Sequence, residues 1–161
     1  MKIVKLIYDK YENDYGFYDY NDEEKDEKEI KADILKNLPK FVNQQLIDKE
    51  RKIQIYSWGI KKNSGLECDI VFDLTNFQSK LDANLDVTDL NGLSNEIQDS
   101  IILHPKFIYL IEKIVSLVEI NKPIKIGFFC NHGKHRSVGW AEIIKKYYYP
   151  NSKVKHLTLN Y

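Results

Sequence analysis

The chain has 161 residues, 43% of them apolar and 12% aromatic, and its 24 lysine and arginine side chains balance 24 aspartates and glutamates to a net charge of zero. That length suits one domain with a real core, and the charge balance argues against a general polyanion binder while leaving room for a local basic patch. No apolar run approaches the ~18 residues of a membrane span, and the charged opening Met-Lys-Ile-Val-Lys-Leu-Ile-Tyr is no signal peptide, so a cytoplasmic setting without a membrane partner is expected.

Residues 2–8 alternate as a strand. Residues 11–20 are rich in tyrosine and aspartate and read as a loop or hairpin, and 21–31 form a mixed-charge run expected to be solvated. Ile30, Ile34, Leu35, Leu38, Phe41 and Val42 then follow at helical spacing, with Pro39 expected to end or kink that helix. From Arg51 the texture changes. Residues 53–58 alternate as a strand stopping at Gly59, and 69–74 form a short apolar strand. Residues 75–92 have little periodicity and read as a long loop. Ser94 is a helix cap ahead of Ile97, Ile101 and Ile102. His104-Pro105 breaks that helix and starts another, whose buried stripe is Ile108, Ile111, Val115 and Val118. Residues 124–129 are the clearest strand, residues 138–148 a helix closed by Pro150, and 154–159 a final strand. Strands alternating with helices predict an α/β fold: a sheet of mostly parallel strands flanked by helices, with an anion-binding loop between a strand and a helix. Residues 1–50 are expected to be an N-terminal extension of strand, loop and charged helix, and 51–161 the α/β domain.

Phe-Phe-Cys-Asn-His-Gly-Lys-His-Arg-Ser-Val-Gly-Trp at 128–140 carries the chemistry. A strand delivers the chain to a turn whose amides point inward. The next helix adds its positive end, and Arg136 can grip two phosphate oxygens. Gly133 lets the backbone curl where a Cβ would clash, and the same field favours thiolate at Cys130. The ligand-binding candidates are Cys130, Asn131, His132, Gly133, Lys134, His135, Arg136 and Ser137. Asp73 and Ser57, near strand ends, could face the same crevice, although each could equally be a cap or turn residue. Cys68 and Cys130 form no disulfide framework, and His132 and His135 lack a second ligand pair, so neither metal nor cofactor is expected. Trp58 and Trp140 are expected in the core, and Cys68 as a small buried residue.

The spacing of Cys130, Gly133, Arg136 and Ser137 is similar to the loop of cysteine-dependent phosphatases. That similarity implies Cys130 as nucleophile, Arg136 on the equatorial oxygens, Ser137 assisting the leaving thiolate, and a general acid among Asp89 and Asp99. Phe129 stands where those enzymes usually carry histidine. A wider set of residues points elsewhere: Tyr-Ser-Trp-Gly at 56–59, Val-Phe-Asp-Leu at 71–74, Asn-Gly-Leu at 91–93, Ile-Gly at 126–127, Gly-Lys-His-Arg-Ser-Val at 133–138, Ala-Glu at 141–142 and His-Leu-Thr-Leu at 156–159. Through these the chain resembles the C-terminal domain of the RNase adaptor protein RapZ family over residues 55–159. The resemblance implies an α/β domain that senses a phosphosugar and contacts a regulatory RNA rather than an enzyme, with the ligand over the loop amides and His135 and Arg136 as polar grips. It also implies a homo-oligomer. The family's Walker-type P-loop has no counterpart in residues 1–50, and 75–85 lack the family's arginine and Asn-Pro-His stretch. Lys145, Lys146, Lys153 and Lys155 could form a modest basic patch. The expected partner is therefore a phosphate-containing small molecule, with RNA as a second partner. The remaining alternative is a protein-interaction module that keeps the loop only as a fold element.

Overall fold

The computed structural model describes residues 2–6, 26–78 and 90–159. The expected loop at 11–20, the acidic start of the charge run, most of the 75–92 loop and Asp89 lie outside them.

Five strands form one all-parallel sheet in the order β1-β5-β6-β4-β7: β1 (Lys2–Lys5), β4 (Gln54–Gly59), β5 (Ile70–Asp73), β6 (Lys125–Cys130) and β7 (Lys153–His156). Around it stand α1 (Glu27–Lys36), α2 (Asn95–Ile102), α3 (Phe107–Asn121) and α4 (Arg136–Tyr147). A small antiparallel hairpin, β2 (Phe41–Val42) and β3 (Gln45–Leu46), stands apart from the sheet. The expected α/β class with parallel strands is the observed one.

The helices begin and end for local reasons. Asp26 Oδ1 accepts the Glu29 amide at 2.8 Å and caps α1. Ser94 precedes α2, but its hydroxyl turns back to accept the Asn91 amide at 3.3 Å. His104 and Pro105 separate α2 from α3, whose Ile108, Ile111, Val115 and Val118 are buried as their spacing requires. Pro39 ends the first helix as expected: α1 stops at Lys36, because the residue before a proline is disfavoured in helical geometry. The helical spacing of Phe41 and Val42 is what is corrected. Phe41 and Val42 instead pair with Leu46 and Gln45 across a turn in which Asn43 and Gln44 both take positive φ, 49° and 65°.

Strand parity divides the core. Ile55, Ile70, Phe72, Ile126 and Phe128 share one cluster with buried residues from all four helices, while Trp58, Val71 and Phe129, from the alternate strand positions, form a smaller cluster with Cys68, which precedes β5. Trp140 is fully buried against Phe77 and Phe107. Burial pushes the Cys68 thiol up to about 11, as befits a small core residue. The N-terminal segment is no loose appendage: β1 lies beside β5, and Leu6, Ile30, Ile34 and Val42 enter the main cluster.

Glu119, near the end of α3, ties this segment to the rest. Its carboxylate accepts from Arg51 Nε at 2.6 Å, the Asp48 amide at 2.9 Å and the Tyr149 hydroxyl at 2.9 Å. Burial pushes the carboxyl up, but these three donors together hold it below the usual glutamate range. A carboxyl whose pKa is depressed on folding stabilises the fold above its unfolded value, and that stability is lost as pH falls through the folded value. Glu119→Gln should therefore destabilise the protein by about 1–3 kcal/mol at neutral pH, and flatten the acid limb of the stability profile, both read from urea unfolding at a series of pH values.

Candidate anion-binding site

The C-terminal ends of the three central strands converge on one place. Ladder bonds run to the end of β6 on both sides: Leu74 N donates to Phe129 O at 2.8 Å, Ile60 N to Cys130 O at 2.9 Å and Lys61 N to Asn131 O at 3.1 Å. Above them opens a cavity of about 400 Å³, with Lys62 from the segment after β4, Thr75 and Gln78 from the segment after β5, and Cys130, Asn131, His132, Lys134, His135 and Arg136 from the loop after β6. Ligands of parallel sheets gather at this end. A second cavity of about 340 Å³ lies between the β2–β3 hairpin and α3, but its Arg51 and Glu119 are already satisfied by each other.

The loop is held at both shoulders. Gly133 has φ +68°, and a Cβ there would fall 2.1 Å from Thr158 Oγ1 and 2.3 Å from Gly59 N. Its amide donates to Cys130 Sγ at 3.2 Å, and Ser137 Oγ lies 3.3 Å from the same sulfur. On the other side Gly92 N donates to Lys134 O at 2.7 Å and His135 Nε2 donates to Leu90 O at 2.8 Å. His135 stands at the N-cap of α4, but its side chain turns to Leu90 and makes no capping bond to the first-turn amides, at the positive end of the helix.

Arg136 has two tasks. Its Nη1 donates to three backbone carbonyls, Leu74 at 3.2 Å, Thr75 at 2.8 Å and Phe77 at 3.1 Å, while the side chain also lines the cavity. It thus fixes the segment after β5 that supplies Thr75 and Gln78.

Six of the ten residues singled out in the sequence line the cavity together: Cys130, Asn131, His132, Lys134, His135 and Arg136. Gly133, within the loop, and Ser137, in the first turn of α4, do not line the cavity and instead meet Cys130 Sγ. Asp73 is at the end of β5, where Oδ1 accepts the Thr75 amide at 2.9 Å and the Thr75 hydroxyl at 2.7 Å, the turn-residue alternative. Ser57 is buried, with its hydroxyl against His156. Asp99 sits on α2, paired with Lys31 at 2.7 Å, and does not line the cavity. Lys62, Thr75 and Gln78 went unremarked in the sequence; the rule that ligands lie beyond the carboxyl ends of central strands points to them. Among the described residues, no cluster of histidine, cysteine and carboxylate could hold a metal.

Gly133→Ala should destabilise the fold by about 2–3 kcal/mol, and displace the amide resonances of residues 131–136, as measured by urea unfolding and NMR.

The model of the RapZ C-terminal domain family matches residues 51–160. A nucleotide-binding protein of Thermosipho melanesiensis is 27% identical over 117 residues, covering 67% of this chain and 42% of that protein. A nucleotide-binding protein of Zymomonas mobilis is 33% identical over 101 residues, covering 57% of this chain and 31% of that one. The chain spans less than half the length of either relative. With the family model matching well over half of the chain, the protein belongs to the RapZ C-terminal domain family.

Proposed function

We propose that this domain binds a phosphorylated small molecule of the phosphosugar or nucleotide class, with its phosphate seated over the loop of residues 130–136. The observation that carries the reading is the convergence of Lys62, Lys134 and Arg136 on one cavity at the carboxyl ends of β4, β5 and β6, beside the N-terminal turn of α4. Thr75 and Gln78 bring neutral donors and acceptors to the same cavity, suited to the hydroxyls of a sugar. Two relatives named as nucleotide-binding proteins support a phosphate-bearing ligand.

Two further readings have their own observations. For a cysteine-dependent phosphatase, the Gly133 amide and the Ser137 hydroxyl beside Cys130 Sγ are the groups that would stabilise and then release a thiolate. Asp99, one of the two candidate general acids, is paired with Lys31 away from the cavity. For an RNA phosphate, Lys153 and Lys155 stand on the edge strand β7 in lateral register with Lys125 and Tyr56.

A ligand at one hundred times its Kd stabilises the folded state by about 2.7 kcal/mol. For a domain of this size that is a rise in Tm of about 5–10 °C. A hexose 6-phosphate or a nucleoside monophosphate should produce such a rise, and Arg136→Ala should abolish it. Absence of any shift with either compound and with inorganic phosphate would overturn the reading. Aryl phosphate turnover that vanishes in Cys130→Ser would replace it with the phosphatase.

A further inference from the structure

Below the loop, three polar side chains from three elements form a continuous hydrogen-bond chain. Ser57 Oγ on β4 meets His156 Nδ1 on β7 at 2.5 Å, and His156 Nε2 meets Glu142 Oε1 on α4 at 2.7 Å. One assignment satisfies every atom: the serine hydroxyl donates to Nδ1, and the Nε2 proton goes to the carboxylate. Ser57 is 1% exposed and His156 8%, and none of the three lines the cavity. The connectivity brings a hydrolase triad to mind, but a buried mid-strand hydroxyl with no cavity above it is no nucleophile. A buried polar chain with every member satisfied holds the elements that carry it in one relative geometry.

The geometry is that of the loop. Ser57 and His156 are partners in the β4–β7 ladder. Two residues beyond each come Gly59 and Thr158, joined by the Gly59 amide donating to Thr158 Oγ1 at 3.0 Å. Gly133, the crest of the loop, rests on both. Glu142 sits on the helix that opens with Arg136. The chain therefore ties together the three elements that surround the loop, one step behind each point of contact. We propose that Ser57, His156 and Glu142 are positioning residues for the anion loop, holding β4, β7 and α4 at the relative heights that seat Gly133 and aim Arg136. This rests on the reading of the loop as an anion site.

The test compares Ser57→Ala, Glu142→Ala and Glu142→Gln with the wild type, reading inorganic phosphate affinity and the amide resonances of residues 131–136. Ser57→Ala removes one oxygen. Glu142→Ala removes the acceptor at a side chain that is 27% exposed, so the core stays filled, and Glu142→Gln keeps an oxygen acceptor for Nε2. Both alanine variants should move the loop resonances and weaken phosphate binding about tenfold, while Glu142→Gln stays within about twofold of the wild type. Phosphate should also shift the imidazole nitrogen resonances of His156, a residue that does not line the cavity. Wild-type affinity and unmoved loop resonances in the alanine variants would overturn the proposal, as would a Glu142→Gln protein as impaired as Glu142→Ala. If Ser57→Ala does not fold, the Glu142 pair carries the comparison. If the wild type binds no phosphate, the anion reading fails by itself, and the loop resonances of the alanine variants alone decide the positioning role: moved upholds it, unmoved overturns it.

Discussion

Gly59 and Gly133 come so close that neither can carry a side chain. A Cβ on Gly59 would fall 2.1 Å from the His132 carbonyl carbon, and one on Gly133 would fall 2.3 Å from the Gly59 amide nitrogen. This backbone-to-backbone approach is what allows the chain leaving β6 to fold back over the end of β4 rather than run on past it. The remaining geometry of the site follows from it. With the loop curled back, the Gly133 amide reaches Cys130 Sγ, and α4 starts above the ends of the strands. Arg136, the first residue of that helix, is then within reach of the carbonyls after β5. Without the close approach, the amides and the guanidinium would have no common focus.

Arg136 would make the proposed site rigid before a ligand arrives. Three carbonyls share one nitrogen of its guanidinium, so its rotamer entropy is already lost in the folded protein and need not be lost again on binding, the general advantage of preorganisation. The planar fork makes this double use feasible. A lysine offers a single cationic centre on a flexible stem, and could serve the carbonyls or an anion but not both in fixed geometry. Phe77, whose carbonyl is one of the three, is itself packed against Trp140 and His104. The aromatic cluster and the guanidinium therefore hold the same short segment from two sides.

Much of this was legible in the sequence because it depends on local periodicity. β6 and α4 announce themselves by alternation and by apolar spacing, and the loop between them by a glycine flanked by cations. The hairpin at Phe41 and Val42 was not legible, since both residues fall at helical intervals from Ile30 and Ile34, and only the proline between them argues otherwise. Ser57 illustrates a different limit. Nearness to a strand end suggested the crevice, but strand parity turned its side chain towards α4, and its partner His156 lies 99 residues away. Parity can be counted along a strand, whereas the identity of a neighbouring strand cannot. Lys62, Thr75 and Gln78 escaped for the same reason. They follow β4 and β5 in segments without periodicity, and only the sheet order brings those segments beside the loop.

Strand order also reconciles a neutral protein with a cationic site. Several of the chain's carboxylates are engaged elsewhere: Glu119 with Arg51, Asp99 with Lys31, Glu142 with His156. Lys62, Lys134 and Arg136 face a cavity lined by no carboxylate among the described residues. The resulting field is local. Screening at physiological salt limits its reach to about 8 Å, the dimension of a single phosphate and the group attached to it. A long polyanion would extend beyond that range on to a remainder in which carboxylates outnumber cations, since the whole is neutral and Lys62, Lys134 and Arg136 line the cavity, gaining little from each further phosphate. A compact monoester would place its whole charge where the field is strongest and its uncharged remainder against Thr75 and Gln78. Charge distribution, more than net charge, is therefore the argument for the proposed small phosphorylated ligand over the nucleic acid.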